Sequence, residues 1–367
     1  MRNIQIVLVV LLAGFLAAPA SSAAPAATSE QQMTPYLTPQ RVVQVAKGRT
    51  INLVCLGHGS PTVILSAGLD AWSVWWWAVQ PTLAKQTRVC AWDRAGYGFS
   101  SPSPDPQDIV HTTEDLERAL TRGGIRGPYV MVGHSLGGDE ALRFTDLHRH
   151  SVVGMVLVDP DIPNRAAVEE RIAPQLGTMS RASVEQTVKS LRTCAAQLRG
   201  STLKRGAPEF ERCTATLAAL DPRLRAAIAR LNADPARLLT QASTEKEHYT
   251  DSREVINAQR RYGDMPLIVL TAGRDESSIL SAMPPGTPGA STPAELAELR
   301  KQIGLFLRDG WGAGHDAYAA LSTRGRNQLV PDSGHNIPIN NPDVVISAVV
   351  EVLGETRPST RGAGSRE

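Results

Sequence analysis

Eight short runs of apolar and β-branched residues, at 42–45, 51–56, 62–66, 88–92, 129–132, 152–158, 267–271 and 327–330, alternate with stretches of helical periodicity. That alternation is what most limits the fold, because strands separated by helices pair in parallel through crossovers. Runs such as ThrValIleLeu at 62–65 and MetValLeuVal at 155–158 are apolar at every position, so both faces of those strands must be covered. An α/β fold is expected: an eight-stranded, mostly parallel sheet with helices on both faces. Between 161 and 262 the period changes to 3.6, with Ala, Leu, Arg and Glu dominating. This predicts an inserted helical cap over the strand ends, dividing the core into 41–160 and 263–355. The stretch 281–293, with MetProProGlyThrProGly, reads as a loop, and the polar tail 356–367 as disordered. No internal repeat is found.

Met-Arg-Asn at the start precedes an uncharged apolar run from Ile4 to Leu16 and then small residues as far as Ala27. These are the three parts of a secretory signal peptide, assigned to 1–23, and the run is shorter than the roughly 20 residues of a spanning helix. The mature protein is expected to be secreted or periplasmic, without a stable membrane anchor. An oxidising compartment suits four cysteines, for which three pairings exist. Cys55 and Cys90 lie in strand-like runs, and Cys194 and Cys213 in the helical middle segment, so Cys55–Cys90 and Cys194–Cys213 are predicted, with four buried thiols as the alternative. Lys and Arg number 38 against 36 Asp and Glu, a balance with no general field for nucleic acid.

The motif with chemical content is Gly133-His134-Ser135-Leu136-Gly137, which follows the run TyrValMetVal and opens a helical pattern. A strand-turn-helix with small residues on both sides of a serine holds that hydroxyl above the carboxyl edge of the sheet. Taken with AlaTrpAspArgAlaGlyTyrGlyPheSerSer at 91–101, GlyArgAsp at 273–275 and SerGlyHisAsnIlePro at 333–338, the sequence resembles the α/β-hydrolase superfamily, specifically its capped serine hydrolases, from Val42 to Leu353. The resemblance implies Ser135 as nucleophile, His335 as base and Asp275 as the acid, with Asp159, which ends the sixth run in LeuValAspPro, as the alternative acid. His315, in GlyAlaGlyHisAsp, is the weaker rival base. A serine hydroxyl needs such a base at neutral pH, and the base needs a carboxylate to orient it and to stabilise its charged form.

The backbone amides of Leu69 and Leu136 are the expected oxyanion donors, although the turn at 65–70 reads LeuSerAlaGlyLeuAsp, where many members of the superfamily carry His-Gly. Four of the six tryptophans fall in TrpSerValTrpTrpTrp at 72–77; they read either as core packing or, for Trp72 and Trp75, as the wall of an acyl pocket. His111, His148 and His150 have no metal-ligand spacing, and no Gly-rich phosphate loop follows a strand, so neither a metal nor another cofactor is expected. The expected enzyme is an exported hydrolase acting on carboxylic ester bonds of small molecules. Amide or peptide hydrolysis on the same triad is the alternative within that class, and a non-catalytic binding protein that keeps the fold is the alternative outside it.

Overall fold

The computed structural model describes residues 30–356, save 217, 219, 251–256, 258, 284–289 and 291. The expected leader, most of the 281–293 loop and the tail beyond Thr356 lie outside the described residues. Eight strands form one sheet: β1 (Arg41–Ala46), β2 (Arg49–Leu56), β3 (Thr62–Ser66), β4 (Val89–Trp92), β5 (Tyr129–His134), β6 (Val152–Val158), β7 (Leu267–Ala272) and β8 (Gly325–Val330). Their order is β1-β2-β4-β3-β5-β6-β7-β8. The first two pairings, β1 with β2 and β2 with β4, are antiparallel, and the others are parallel. All of the carboxyl ends from β3 to β8 therefore emerge on one edge.

Why the central strands are apolar throughout is visible in β5. Val130 and Val132 pack into the layer beneath the sheet with Val349 and Leu353 of the helix Pro342–Thr356, while Met131 packs into the opposite layer with Leu116, Leu120 and Leu142. The opposite layer is supplied by the helices Ile109–Arg122 and Leu136–Leu147. Each such fully buried side chain contributes about 1.5–3 kcal/mol, so one polar residue on either face would be costly. Cys55 and Cys90 are direct partners across the antiparallel β2–β4 ladder and are joined in a disulfide.

Among the described residues, five helices come between β6 and β7: Arg165–Ile172, Pro174–Arg199, Pro208–Thr214, Pro222–Asn232 and Pro235–Thr250. The second disulfide, Cys194–Cys213, ties the second of these to the third. The structure adds a contribution from after β7: the helix Pro293–Leu305 and the π-helical turn Phe306–Gly312 pack Leu299, Ile303, Phe306 and Trp311 against Ile162, Ala173 and Leu176. No helix among the described residues is long and apolar enough to cross a membrane.

Candidate active site

Ser135 stands between β5 and the helix Leu136–Leu147 with φ 52° and ψ −124°, a conformation that side-chain-bearing residues rarely adopt. The flanking glycines make that turn feasible. A Cβ on Gly133 would strike the carbonyl of Gly137, and a Cβ on Gly137 would strike the carbonyl of Ser66, both at distances no real Cβ reaches. The motif is thus a packing requirement before it is a chemical one. Leu136 is the first residue of its helix, so its N–H belongs to the amides with no acceptor inside the helix. The turn after β3 lies against Ser135, for a Cβ on Gly68 would sit 3.2 Å from the Ser135 Cβ.

His335 is buried, and its Nδ1–H donates to Asp159 Oδ2 at 2.6 Å. Asp159 directly follows β6, with φ 42°, and is completely buried. Its other oxygen accepts from the Ala272 amide at 3.0 Å and from Trp311 Nε1 at 2.9 Å, while Arg274 reaches Oδ2 at 3.1 Å. The expected acid, Asp275, is elsewhere: its exposed carboxylate caps the helix Glu276–Ala282, accepting from the Ser278 amide at 2.8 Å, while the Ser278 hydroxyl accepts from the Asp275 amide at 3.1 Å. The sequence AspGluSerSer held that signal, an N-cap residue with its reciprocal partner three positions on. His315 has both ring nitrogens engaged, by Thr271 Oγ1 at 2.7 Å and the Pro160 carbonyl at 2.8 Å, and is fully buried.

Arg94 takes over the support of the 65–70 turn. Its guanidinium donates to the carbonyls of Ala67 and Gly68 and forms a buried two-point pair with Glu140 at 2.6 and 2.7 Å. Neighbouring Asp93 accepts from the Asn52 side chain and from the amides of Ser73 and Phe99, which folds the 93–99 loop. Trp75 belongs to the layer beneath the sheet, and Trp72 packs with Tyr36, Val54 and Tyr97, so both are core residues.

A family model described as the alpha/beta hydrolase fold matches residues 53–276. The chain belongs to the alpha/beta hydrolase family. An AB hydrolase superfamily protein from Gibberella zeae is 33% identical over 103 residues, which are 27% of this chain and 32% of that protein. A Bacillus subtilis protein is 27% identical over 120 residues, 32% of this chain and 37% of that one. The chain thus spans well under half the length of these curated relatives. Among solved structures, a thermophilic esterase from Thermogutta terrifontis matches with TM-score 0.54 at 19% identity, covering 88% of this chain and 100% of that one. An epoxide hydrolase matches with TM-score 0.53 at 18% identity, covering 87% and 99%. At such identities the likeness is one of fold.

The electrostatics of the candidate site follow from burial and one cation. Burial by itself would raise the Asp159 pKa, but the Arg274 guanidinium and the bonded His335 outweigh it and hold the carboxyl well below the usual carboxylate range. For His335 burial dominates: it lowers the pKa from the ordinary 6.5 despite the attraction of Asp159. His134, the residue before the serine, is held down to about 3, chiefly by burial, so it is neutral and its Nε2–H donates to the His335 carbonyl at 2.9 Å. Four residues that sequence reasoning did not single out, His134, Arg274, Trp311 and Arg94, therefore set the geometry. Among the described residues no three His, Cys, Asp or Glu side chains gather into a metal-holding group.

Two outcomes follow here. Because the folded His335 takes up its proton only below the ordinary 6.5, the acidic limb of a pH profile of kcat/KM falls below pH 6.5. A limb above pH 7 would contradict the burial argument. Second, Arg94→Met leaves Glu140 uncompensated and frees the Ala67 and Gly68 carbonyls; kcat is expected to fall about 100-fold on any substrate that reacts at Ser135, with a much smaller change in KM. Steady-state kinetics of the folded variant measure the split.

Proposed function

We propose that this hydrolase cleaves carboxylic esters through an acyl-serine intermediate, with Ser135 as nucleophile, His335 as base and Asp159 as its orienting acid. The observation that carries the reading is the buried Asp159–His335 pair: His335 Nδ1 is committed to the carboxylate, and its Nε2, also buried, has no hydrogen-bond partner among the described residues. That nitrogen is left to accept the serine proton. Ser135 Oγ attacks the carbonyl carbon while His335 Nε2 takes the hydroxyl proton, and the amides of Leu136 and Leu69 stabilise the oxyanion. Collapse breaks the bond to the alcohol, which leaves with the proton from His335. Water then attacks the acyl group, gives its proton to His335, and the acid departs as the proton returns to Ser135.

The two disulfides support a protein that folds in an oxidising compartment, in keeping with export. The experiment is hydrolysis of 4-nitrophenyl esters from acetate to palmitate, with fluorophosphonate labelling of Ser135 alongside. Labelling and turnover that both vanish in Ser135→Ala and His335→Ala are expected. Unlabelled wild-type protein would reject the activated serine. Labelled protein that turns over no ester but cleaves the corresponding anilides would move the reaction to amides.

A further inference from the structure

The helix Pro293–Leu305, the π-helical turn Phe306–Gly312 and the helix Ala313–Ala319 follow one another without a break, so one helical rod runs from the cap into the core. Its first part, through Leu299, Ile303 and Phe306, packs with Ile162, Ala173 and Leu176 of the cap segment. Its last part grips the turn after β6 at three successive residues. Trp311 Nε1–H donates to the Asp159 carboxylate at 2.9 Å, His315 Nε2–H to the Pro160 carbonyl at 2.8 Å and the Tyr318 hydroxyl to the Asp161 carbonyl at 3.0 Å. Spacings of four and three put these side chains on one stripe of the rod. The π-turn sets the register of that stripe. Its i→i+5 bonding brings Trp311 beside Phe306, with ring centroids 6.0 Å apart, where α-helical spacing would present Gly310.

The three contacts differ in kind. Two end on backbone carbonyls and fasten the turn, while the third ends on the side chain that reaches His335. Asp159 Oδ1 accepts from one donor on the sheet, the Ala272 amide, and from one on the rod, the Trp311 indole. Together they fix the plane of the carboxylate, and with it the direction in which Oδ2 meets His335 Nδ1 at 2.6 Å. The indole is itself flanked by cap and core: the Arg165 guanidinium, on the first cap helix, lies 5.8 Å from its ring centroid, and that of Arg274, after β7, lies 4.9 Å away.

We propose that Trp311 is a positioning residue for the reaction: its N–H aims the Asp159 carboxylate at His335, and the rod that carries it makes that aim depend on how the cap is seated. The inference rests on the acyl-transfer reading for its effect at Ser135, but the Asp159–His335 bond can be followed without any reaction.

Trp311→Phe keeps an aromatic ring in the cluster and removes the N–H. NMR titration of the His335 ring, assigned with His335→Gln, reads the pair directly. A carboxylate that loses a donor holds the imidazolium more strongly, so the His335 midpoint rises in Trp311→Phe by about half a pH unit. The titratable and charged groups around His335, namely Asp159, Arg274, Asp161, His134 and His315, are the same in both proteins. The rate of fluorophosphonate labelling at Ser135 falls about 20-fold, as expected for loss of a hydrogen bond to a charged group. An unchanged midpoint, or an unchanged labelling rate in protein that labels, overturns the proposal. Phe306→Leu alters the ring beside the indole; it raises the midpoint in the wild-type background and adds nothing in Trp311→Phe. No shift, or equal shifts in the two backgrounds, would overturn the link to the cap. If the midpoint moves but wild-type protein is not labelled, the Trp311–Asp159–His335 linkage stands and the acyl-transfer reading falls.

Discussion

Asp159→Asn is expected to lower kcat on an activated ester about 10⁴-fold, the size seen when the orienting carboxylate of a serine triad becomes an amide. Asp275→Asn is expected to change it less than about twofold, because that carboxylate only caps an exposed helix start. The argument is one of donor count. Asp159 receives the Ala272 amide, the Trp311 indole, the Arg274 guanidinium and the His335 ring, and every one of them donates. An asparagine has a single acceptor oxygen, so its NH₂ must face at least one donor. If it faces His335, the ring accepts at Nδ1 and carries its proton on Nε2, where it can no longer take one from Ser135. If it turns the other way, the Ala272 and Trp311 donors are stranded, and in either case Arg274 loses its counter-charge. Breaking such a buried pair costs about 3–5 kcal/mol of stability, which urea titration of the variant would show beside the kinetics. A greater kinetic loss from Asp275→Asn would refute the pairing.

Gly137→Ala is expected to destabilise the protein by about 3 kcal/mol or to prevent soluble expression, although alanine is otherwise the better helix former. The added Cβ would meet the carbonyl of Ser66 at the end of β3, which is backbone and cannot step aside as a side chain would. Relief would require the helix Leu136–Leu147 to lift from the sheet, taking the Leu136 amide with it. Activity would fall even in molecules that fold. Gly354→Ala is the matched control, since a Cβ there meets nothing within 4 Å on the helix Pro342–Thr356; it should gain about 0.5–1 kcal/mol. Denaturation midpoints of the two variants compare a shape constraint with intrinsic propensity. Similar behaviour in both would mean that the elbow tolerates a side chain.

Much of this was legible in the residues themselves. The eight strands, the parallel centre and the serine elbow follow from local signals, because a fully buried strand must be apolar at each position and a sharp strand-to-helix turn must be free of Cβ atoms. The pairing of the cysteines was legible too, since Cys55 and Cys90 sat in runs that became ladder partners. The buried polar stripe of Pro235–Thr250 was readable as a period but not as buried, because burial of its polar groups depends on the 93–101 loop that accepts its hydrogen bonds.

What the sequence by itself determined is the frame and the segments that carry Ser135 and His335, two of the three proposed reacting groups, each with its own conformational demand. Which aspartate serves His335 was decided only in three dimensions. Asp159 and Asp275 both follow strand ends on the same edge, and both precede helical segments, so local pattern cannot separate them. The choice falls to Asp159 because its left-handed backbone turns the carboxylate into a buried space closed by Trp311, Arg274 and His335, which arrive from 115 to 176 positions away. Asp275 has a nearer claim: the amide of Ser278, three residues on, satisfies it in the first turn of its own helix.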